Sequence, residues 1–278
     1  MTKLFTDPLM EENFTKMKGL VFKYPKRVLI ELNNICPVYC QFCTRKRETF
    51  KKNKWELTNE EVKNILNFLE NNQEINEVII SGGDPLMSPT LLINLLKKIE
   101  KQTSIKIIRI HTRMPITTPK QISQEIFDFL DNFNKTVYLS IHCNLAEEIT
   151  NESIVVFNKF RKAGLILYSQ SVFLKGINDS VEKLENLFEK LLELGIRPYY
   201  IYRCDSVVGL EKFIVSFEKE KEIMTELRKR ISGLACPAYV IDSPQGIGKI
   251  PVPLNFWQNK TKMIDFEGKE IEIKNESF

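Results

Sequence analysis

From about residue 27 to residue 232, short runs of β-branched and aromatic residues alternate with longer stretches whose apolar residues recur at helical spacing. No other feature restricts the fold so much, because repeated strand-then-helix units place each new strand parallel to the last. Strands are predicted at 27–32, 77–80, 106–110, 136–141, 165–168 and 199–202. Between the first two, Thr58-Asn59-Glu60-Glu61 supplies an N-cap and early acids, and Val62, Ile65, Leu66 and Leu69 follow on one helical face. The same pattern predicts helices near 89–102, 119–133, 150–163, 180–195 and 218–232. Six parallel strands joined by right-handed crossovers give an α/β fold, a closed or partly open barrel with its function at the strands' carboxyl ends. The expected division is an N-terminal arm at 1–26, a (β/α)6 core at 27–232 and a C-terminal segment at 233–278 packed on that core. Residues 268–273 suit a small terminal strand or hairpin.

Composition removes several function classes. No apolar run approaches the roughly 20 residues of a membrane helix. Acidic residues Asp7, Glu11 and Glu12 interrupt the region where a secretory signal would be apolar, so the expected compartment is the cytoplasm. Forty Lys and Arg against 36 Asp and Glu leave a formal charge of +4, and most basic residues alternate with acidic ones on solvated helix faces. Arg45-Lys46-Arg47 is the exception and suits a small anion better than a nucleic acid. Six cysteines in a chain of this length favour metal binding or burial over a disulfide framework.

Cys36, Cys40 and Cys43 follow the first predicted strand with spacing C-x3-C-x2-C. Three thiolates on one loop can bind three irons of a [4Fe–4S] cluster and leave the fourth iron open to a ligand, whereas a closed zinc site would need a fourth protein donor from a distant Cys or His. Phe42, just before the last cysteine, provides an aromatic wall. This arrangement resembles the radical S-adenosylmethionine superfamily, in which the open iron is chelated by S-adenosylmethionine and one electron, from an external reductant, yields a 5′-deoxyadenosyl radical. Ser81-Gly82-Gly83-Asp84-Pro85, after the second predicted strand, matches the superfamily's element for the methionine amino group. The resemblance implies Ser81, Gly82, Gly83 and Asp84 as S-adenosylmethionine contacts, with His142 and Asn144 of Ile141-His142-Cys143-Asn144 adding others.

Five further stretches make the chain similar to the lysine 2,3-aminomutase family from about residue 20 to residue 255. In Cys43-Thr44-Arg45-Lys46-Arg47 the resemblance gives Arg45 the carboxylate of the substrate amino acid, a role that a planar guanidinium suits. Pro244-Gln245-Gly246-Ile247-Gly248-Lys249 resembles the glycine-rich segment that ends in the lysine forming a Schiff base with pyridoxal phosphate, although Gln245 and Ile247 interrupt the glycines. Lys249 is thus the implied catalytic and cofactor lysine. Asp205, after Tyr199-Tyr200-Ile201-Tyr202, and Asp242, seven residues before Lys249, match two aspartates that hold the substrate's ε-ammonium. Gln170, in the segment ending the fifth strand, and Arg27, opening the first, match contacts to pyridoxal phosphate, Arg27 with its anionic group.

The resemblance therefore implies a partial (β/α)6 barrel that interconverts L-lysine and β-lysine through a 5′-deoxyadenosyl radical and a pyridoxal imine. A different cationic amino acid such as arginine is the nearest alternative, and a non-catalytic iron–sulfur or zinc protein the more distant one. Larger members bind a structural zinc through C-terminal cysteines and one in the Gly-x-Asn-Asp-Cys element. Here Ser180 stands at that last position and no cysteine follows Cys236, so no structural zinc is expected. The chain also begins close to the first strand, so the larger members' oligomeric arrangement is not carried over.

Overall fold

The structure is a computed structural model that describes residues 4–243, 246, 248–259 and 261–272. Pro244, Gln245 and Ile247 of the glycine-rich segment and Ile273 of the terminal strand lie outside the described residues.

Ten strands form one sheet in sequence order: β1 (Thr15–Met17), β2 (Leu20–Tyr24), β3 (Arg27–Asn33), β4 (Glu77–Gly82), β5 (Ile107–Thr112), β6 (Thr136–His142), β7 (Ile166–Val172), β8 (Arg197–Tyr202), β9 (Ala238–Asp242) and β10 (Lys249–Pro251). All neighbours from β3 to β9 are parallel, while β1–β2, β2–β3 and β9–β10 are antiparallel. The six predicted strands are present, and β9 is a seventh parallel one. Its short Ala-Tyr-Val-Ile-Asp run, outside the alternating region, gave no separate helical pattern to announce it. A hairpin of β11 (Lys262–Ile264) and β12 (Glu270–Glu272) covers part of the expected terminal strand.

The main crossover helices are α2 (Asn59–Asn71), α3 (Pro89–Glu100), α5 (Gln124–Leu130), α6 (Asn151–Lys162), α7 (Val181–Glu193) and α8 (Phe217–Arg230), with short helices α1 (Lys46–Thr49) and α4 (Met114–Thr117) in two loops. At the predicted N-cap of α2, Thr58 and Glu61 form a capping box. The expected helix at 119–133 is shorter, because Pro119–Gln121 is a separate 3-10 turn and Ser123 restarts the chain before α5.

Alternation along the strands sorts the residues. Val28, Ile30 and Leu32 of β3, Ile108 and Ile110 of β5, and Val137, Leu139 and Ile141 of β6 are buried and belong to one hydrophobic cluster with Val62, Ile65 and Leu69 of α2 and Leu95, Leu96 and Ile99 of α3. Apart from Leu29 and Ile107, the intervening residues are polar or aromatic, among them Arg27, Glu31, Arg109, His111, Tyr138, Ser140 and His142. A single cavity meets residues of, or just after, every parallel strand, so the sheet curves around it. The sheet order has two free edges, β1 and β10, which makes the barrel partial.

Candidate functional site

The cavity at the carboxyl ends of the strands has a volume of about 230 Å³, a little under the roughly 300–1,000 Å³ of small-molecule sites. Cys36, Cys40 and Cys43, Arg45, Ser81 to Asp84, His142, Gln170, Asp205, Asp242 and Lys249 all line it. These residues span more than two hundred positions of sequence and meet because each follows, or ends, a neighbouring strand.

The cysteine loop is fastened to the loop after β4. Gly83 N donates to Asn33 O at 2.7 Å, Asp84 N donates to Ile35 O at 2.7 Å, and the Asn33 amide reaches Asp84 O and Ser88 Oγ. Glycine is required at this crossing: a Cβ on Gly82 would lie 2.3 Å from Asn33 O, and one on Gly83 would lie 2.3 Å from Ile35 O. Burial, aided by Asp84 and the neighbouring thiols, pushes the Cys36 thiol up to about 12, and burial also raises that of Cys43. Metal must therefore displace protons here. Arg113 Nη1 sits 2.8 Å from Cys40 Sγ, stacks on Phe42 at 4.8 Å and pairs with Glu148, which supplies positive charge where thiolates would form. Three thiols on one loop beside a compensating guanidinium fit an iron–sulfur cluster.

Asp84, expected as an S-adenosylmethionine contact, lines the cavity and also braces its loops. Its buried carboxylate accepts from Leu86 N, Thr112 Oγ1, Arg113 N and Met114 N, and so joins the loops after β4 and β5. Burial outweighs those donors and raises it to about 6. His142 faces the cavity with Phe42 5.2 Å away, and its Nε2 is buried without a hydrogen-bond partner among the described residues. Burial and Arg113 lower its pKa to about 3, so the ring is neutral and offers an unmet nitrogen to a ligand. Asn144 accepts from Val172 N at 2.9 Å, and Asn178 donates to Asn144 O and Val172 O, so this pair ties the loops after β6 and β7 together.

In the same cavity Lys249 Nζ lies 2.9 and 2.8 Å from the two oxygens of Asp242, and 4.6 Å from the Tyr202 ring centre. Asp205 has no side-chain hydrogen bond among the described residues. Burial and the charge of Asp242 raise it to about 7, against the opposing pull of Lys249. Gln170 donates to Ser140 Oγ at 2.5 Å. Near the cysteines, Arg45 pairs with Glu11 and Glu31 and donates to Ser81 Oγ.

Arg27 is placed elsewhere. It opens β3 at the amino end of the barrel, stacks on Tyr24 at 3.9 Å and lines a second cavity with Arg109, Arg197 and Tyr199. Sequence reasoning also passed over Glu11, Glu31, His111, Arg113 and Tyr202. His111 and Tyr202 were within reach, since Tyr202 ends β8 and His111 is the last but one residue of β5, each on its strand's inward-facing parity. Glu11 and Arg113 had no local signal.

The Radical SAM superfamily model matches residues 30–210. The chain is 36% identical over 251 residues to the L-lysine 2,3-aminomutase of Methanococcus maripaludis, covering 90% of this chain but 58% of that protein. It is 35% identical over 254 residues to the L-lysine 2,3-aminomutase of Buchnera aphidicola, covering 90% of this chain and 73% of that protein. The glutamate 2,3-aminomutase of Clostridioides difficile is 30% identical over 275 residues, with 97% of this chain and 65% of that protein covered. Among solved structures, a radical SAM methyltransferase from Sphaerobacter thermophilus superposes with a TM-score of 0.57 at 17% identity, over 81% of this chain and 70% of that one. The chain thus spans little more than half to about three quarters of the curated relatives it matches. Among the described residues no helix is long and apolar enough to cross a membrane.

Proposed function

Because the chain belongs to the lysine 2,3-aminomutase family of the radical S-adenosylmethionine superfamily, we propose that it interconverts L-lysine and β-lysine with a [4Fe–4S] cluster, S-adenosylmethionine and pyridoxal phosphate. The observation that carries this reading is that one cavity brings together the three thiols, Arg45, Asp205, Asp242 and Lys249. When bound, the cluster with S-adenosylmethionine supplies one-electron hydrogen abstraction, and pyridoxal phosphate supplies the aldehyde across which an amino group migrates.

Each residue then has a physical task. Cys36, Cys40 and Cys43 hold the irons, and the backbone at Gly82 and Gly83 with His142 borders the S-adenosylmethionine space. Lys249 offers the amine for the aldehyde. Arg45 takes the substrate carboxylate, and Asp205 with Asp242 takes the ammonium at the far end. Closing these groups around the substrate orients Cβ and keeps water from the radical.

Charge favours lysine over glutamate. Among the described residues Asp205 is a half-buried carboxylate without a side-chain hydrogen bond, beside that of Asp242, and a glutamate side chain would add another negative charge there. Purified protein, reconstituted anaerobically with iron, sulfide and pyridoxal phosphate and given a one-electron reductant, is expected to convert lysine to β-lysine and to process arginine and glutamate far more slowly. Turnover of arginine or glutamate in preference to lysine would overturn the substrate assignment.

A further inference from the structure

Arg45 is held in an unusual way for a residue expected to receive a ligand. A guanidinium can meet a carboxylate along its Nε–Nη2 side or along its Nη1–Nη2 end. Glu11 takes the side, with Nε 2.9 Å from Oε2 and Nη2 2.5 Å from Oε1. Glu31 adds a contact to Nε at 3.1 Å. Nη1 is left at the other end, 3.2 Å from Ser81 Oγ. Arg45 and Ser81 line the cavity, whereas Glu11 stands behind them. The donor pair turned toward the substrate space is therefore the one Glu11 does not use.

Glu11 reaches this place at a structural cost. It begins a 3-10 turn, Glu11–Phe14, directly after Met10, which alone among the described non-glycine residues has a positive φ, of 52°. The same turn abuts the loop carrying Lys249: a Cβ on Gly246 would lie 2.7 Å from Met10 Cβ and 2.8 Å from Leu9 O. Burial alone would raise the Glu11 pKa, but Arg45, assisted by Arg47 and Lys23, brings it below its ordinary value. Glu31, more weakly compensated, is raised by burial. Glu11 is thus the committed anionic partner of the two.

We propose that Glu11 is a positioning residue, which fixes the plane of Arg45 so that the Nη1–Nη2 end meets the carboxylate of the amino-acid substrate. The inference rests on Arg45 being the carboxylate anchor. A competing geometry has Glu11 as an occupant that the substrate must displace, and the two predict opposite changes in affinity.

The test compares lysine with lysinamide, which keeps both amines and lacks the carboxylate, as ligands of reconstituted enzyme. Arg45→Met should collapse the preference for lysine by roughly tenfold or more, the worth of a charge-assisted pair. Glu11→Ala should collapse it similarly by raising the Michaelis constant for lysine more than it lowers kcat, with lysinamide affinity, iron content and S-adenosylmethionine affinity unchanged. Glu11→Gln, which keeps the length and one acceptor oxygen, should recover part of the preference and provides the comparison if the alanine variant does not fold. An unchanged preference in Arg45→Met would remove the carboxylate anchor itself. A collapse in Arg45→Met with an unchanged or tighter lysine affinity in Glu11→Ala and Glu11→Gln would overturn the positioning role alone.

Discussion

Lys249 and Asp242 face each other as the first register pair of β10 and β9, with the lysine Nζ 2.9 and 2.8 Å from the two carboxylate oxygens. The residue expected to anchor pyridoxal phosphate and a residue expected to hold the substrate's ammonium are thus one ion pair. Lys249→Ala should abolish a borohydride-sensitive absorbance band of the bound cofactor while iron content stays full. Asp242→Asn should raise the Michaelis constant for lysine more than tenfold, since a charge-assisted bond is worth about 1.5–3 kcal/mol. If Lys249→Ala protein still forms a reducible link to its own chain, another lysine is the anchor.

The cysteine loop and the glycines that brace it should fail together. Cys36→Ala, Cys40→Ala and Cys43→Ala should each lose cluster iron and S-adenosylmethionine cleavage. Gly83→Ala keeps all three thiols, yet its Cβ would have to occupy space 2.3 Å from Ile35 O, directly before Cys36. It should lower iron incorporation with little change in secondary structure, as measured by iron assay and circular dichroism. Full iron content in Gly83→Ala would show that the loop tolerates the shift.

The barrel was legible because its repeats are long and periodic: the runs 27–32 and 136–141 and the helix opened by Thr58 reflect local pattern. β9 and the antiparallel strands β1 and β2 at one end of the sheet were not, since they are short and depend on a neighbour already in place. The cavity residues stood out where a motif was contiguous, as at Cys36 to Cys43. Pairings between distant segments, such as Glu11 with Arg45 or Arg113 with Cys40, left no periodic trace. Arg27 shows the opposite case. A motif named it for the cofactor, but its position at the amino end of β3 sets it on another cavity.

Glu220 of α8 is fully buried, and its Oε2 receives both the Arg203 guanidinium and the Tyr239 hydroxyl, which joins the ends of β8 and β9 to the helix. Removing one member of a buried pair leaves an uncompensated charge, at a cost of about 3–5 kcal/mol. Glu220→Ala should therefore lower the denaturation midpoint strongly, and Glu220→Gln less, since it still accepts from Tyr239. Urea unfolding followed by circular dichroism measures both, and a change under about 0.5 kcal/mol would show that the network is dispensable.

Asp205 should impose a pH dependence whose sign is fixed. Burial, then the charge of Asp242, raise it to about 7, while its unfolded value is near 3.8. Between those values the folded chain holds a proton that the unfolded chain has released, so this group's contribution to stability falls as pH rises through that window. Asp205→Asn should consequently gain stability relative to the parent at about pH 8 and show little difference at about pH 4. Binding has the opposite slope, because the ammonium of lysine needs the ionised carboxylate. Lysine affinity of the parent should strengthen as pH rises from about 6 to about 8, and binding near pH 6 should release a proton, which calorimetry in buffers of different ionisation enthalpy would detect. In Asp205→Asn the affinity should be weaker throughout and that proton release absent. Equal proton release in the parent and the variant would mean that another group titrates there and that Asp205 does not receive the ammonium.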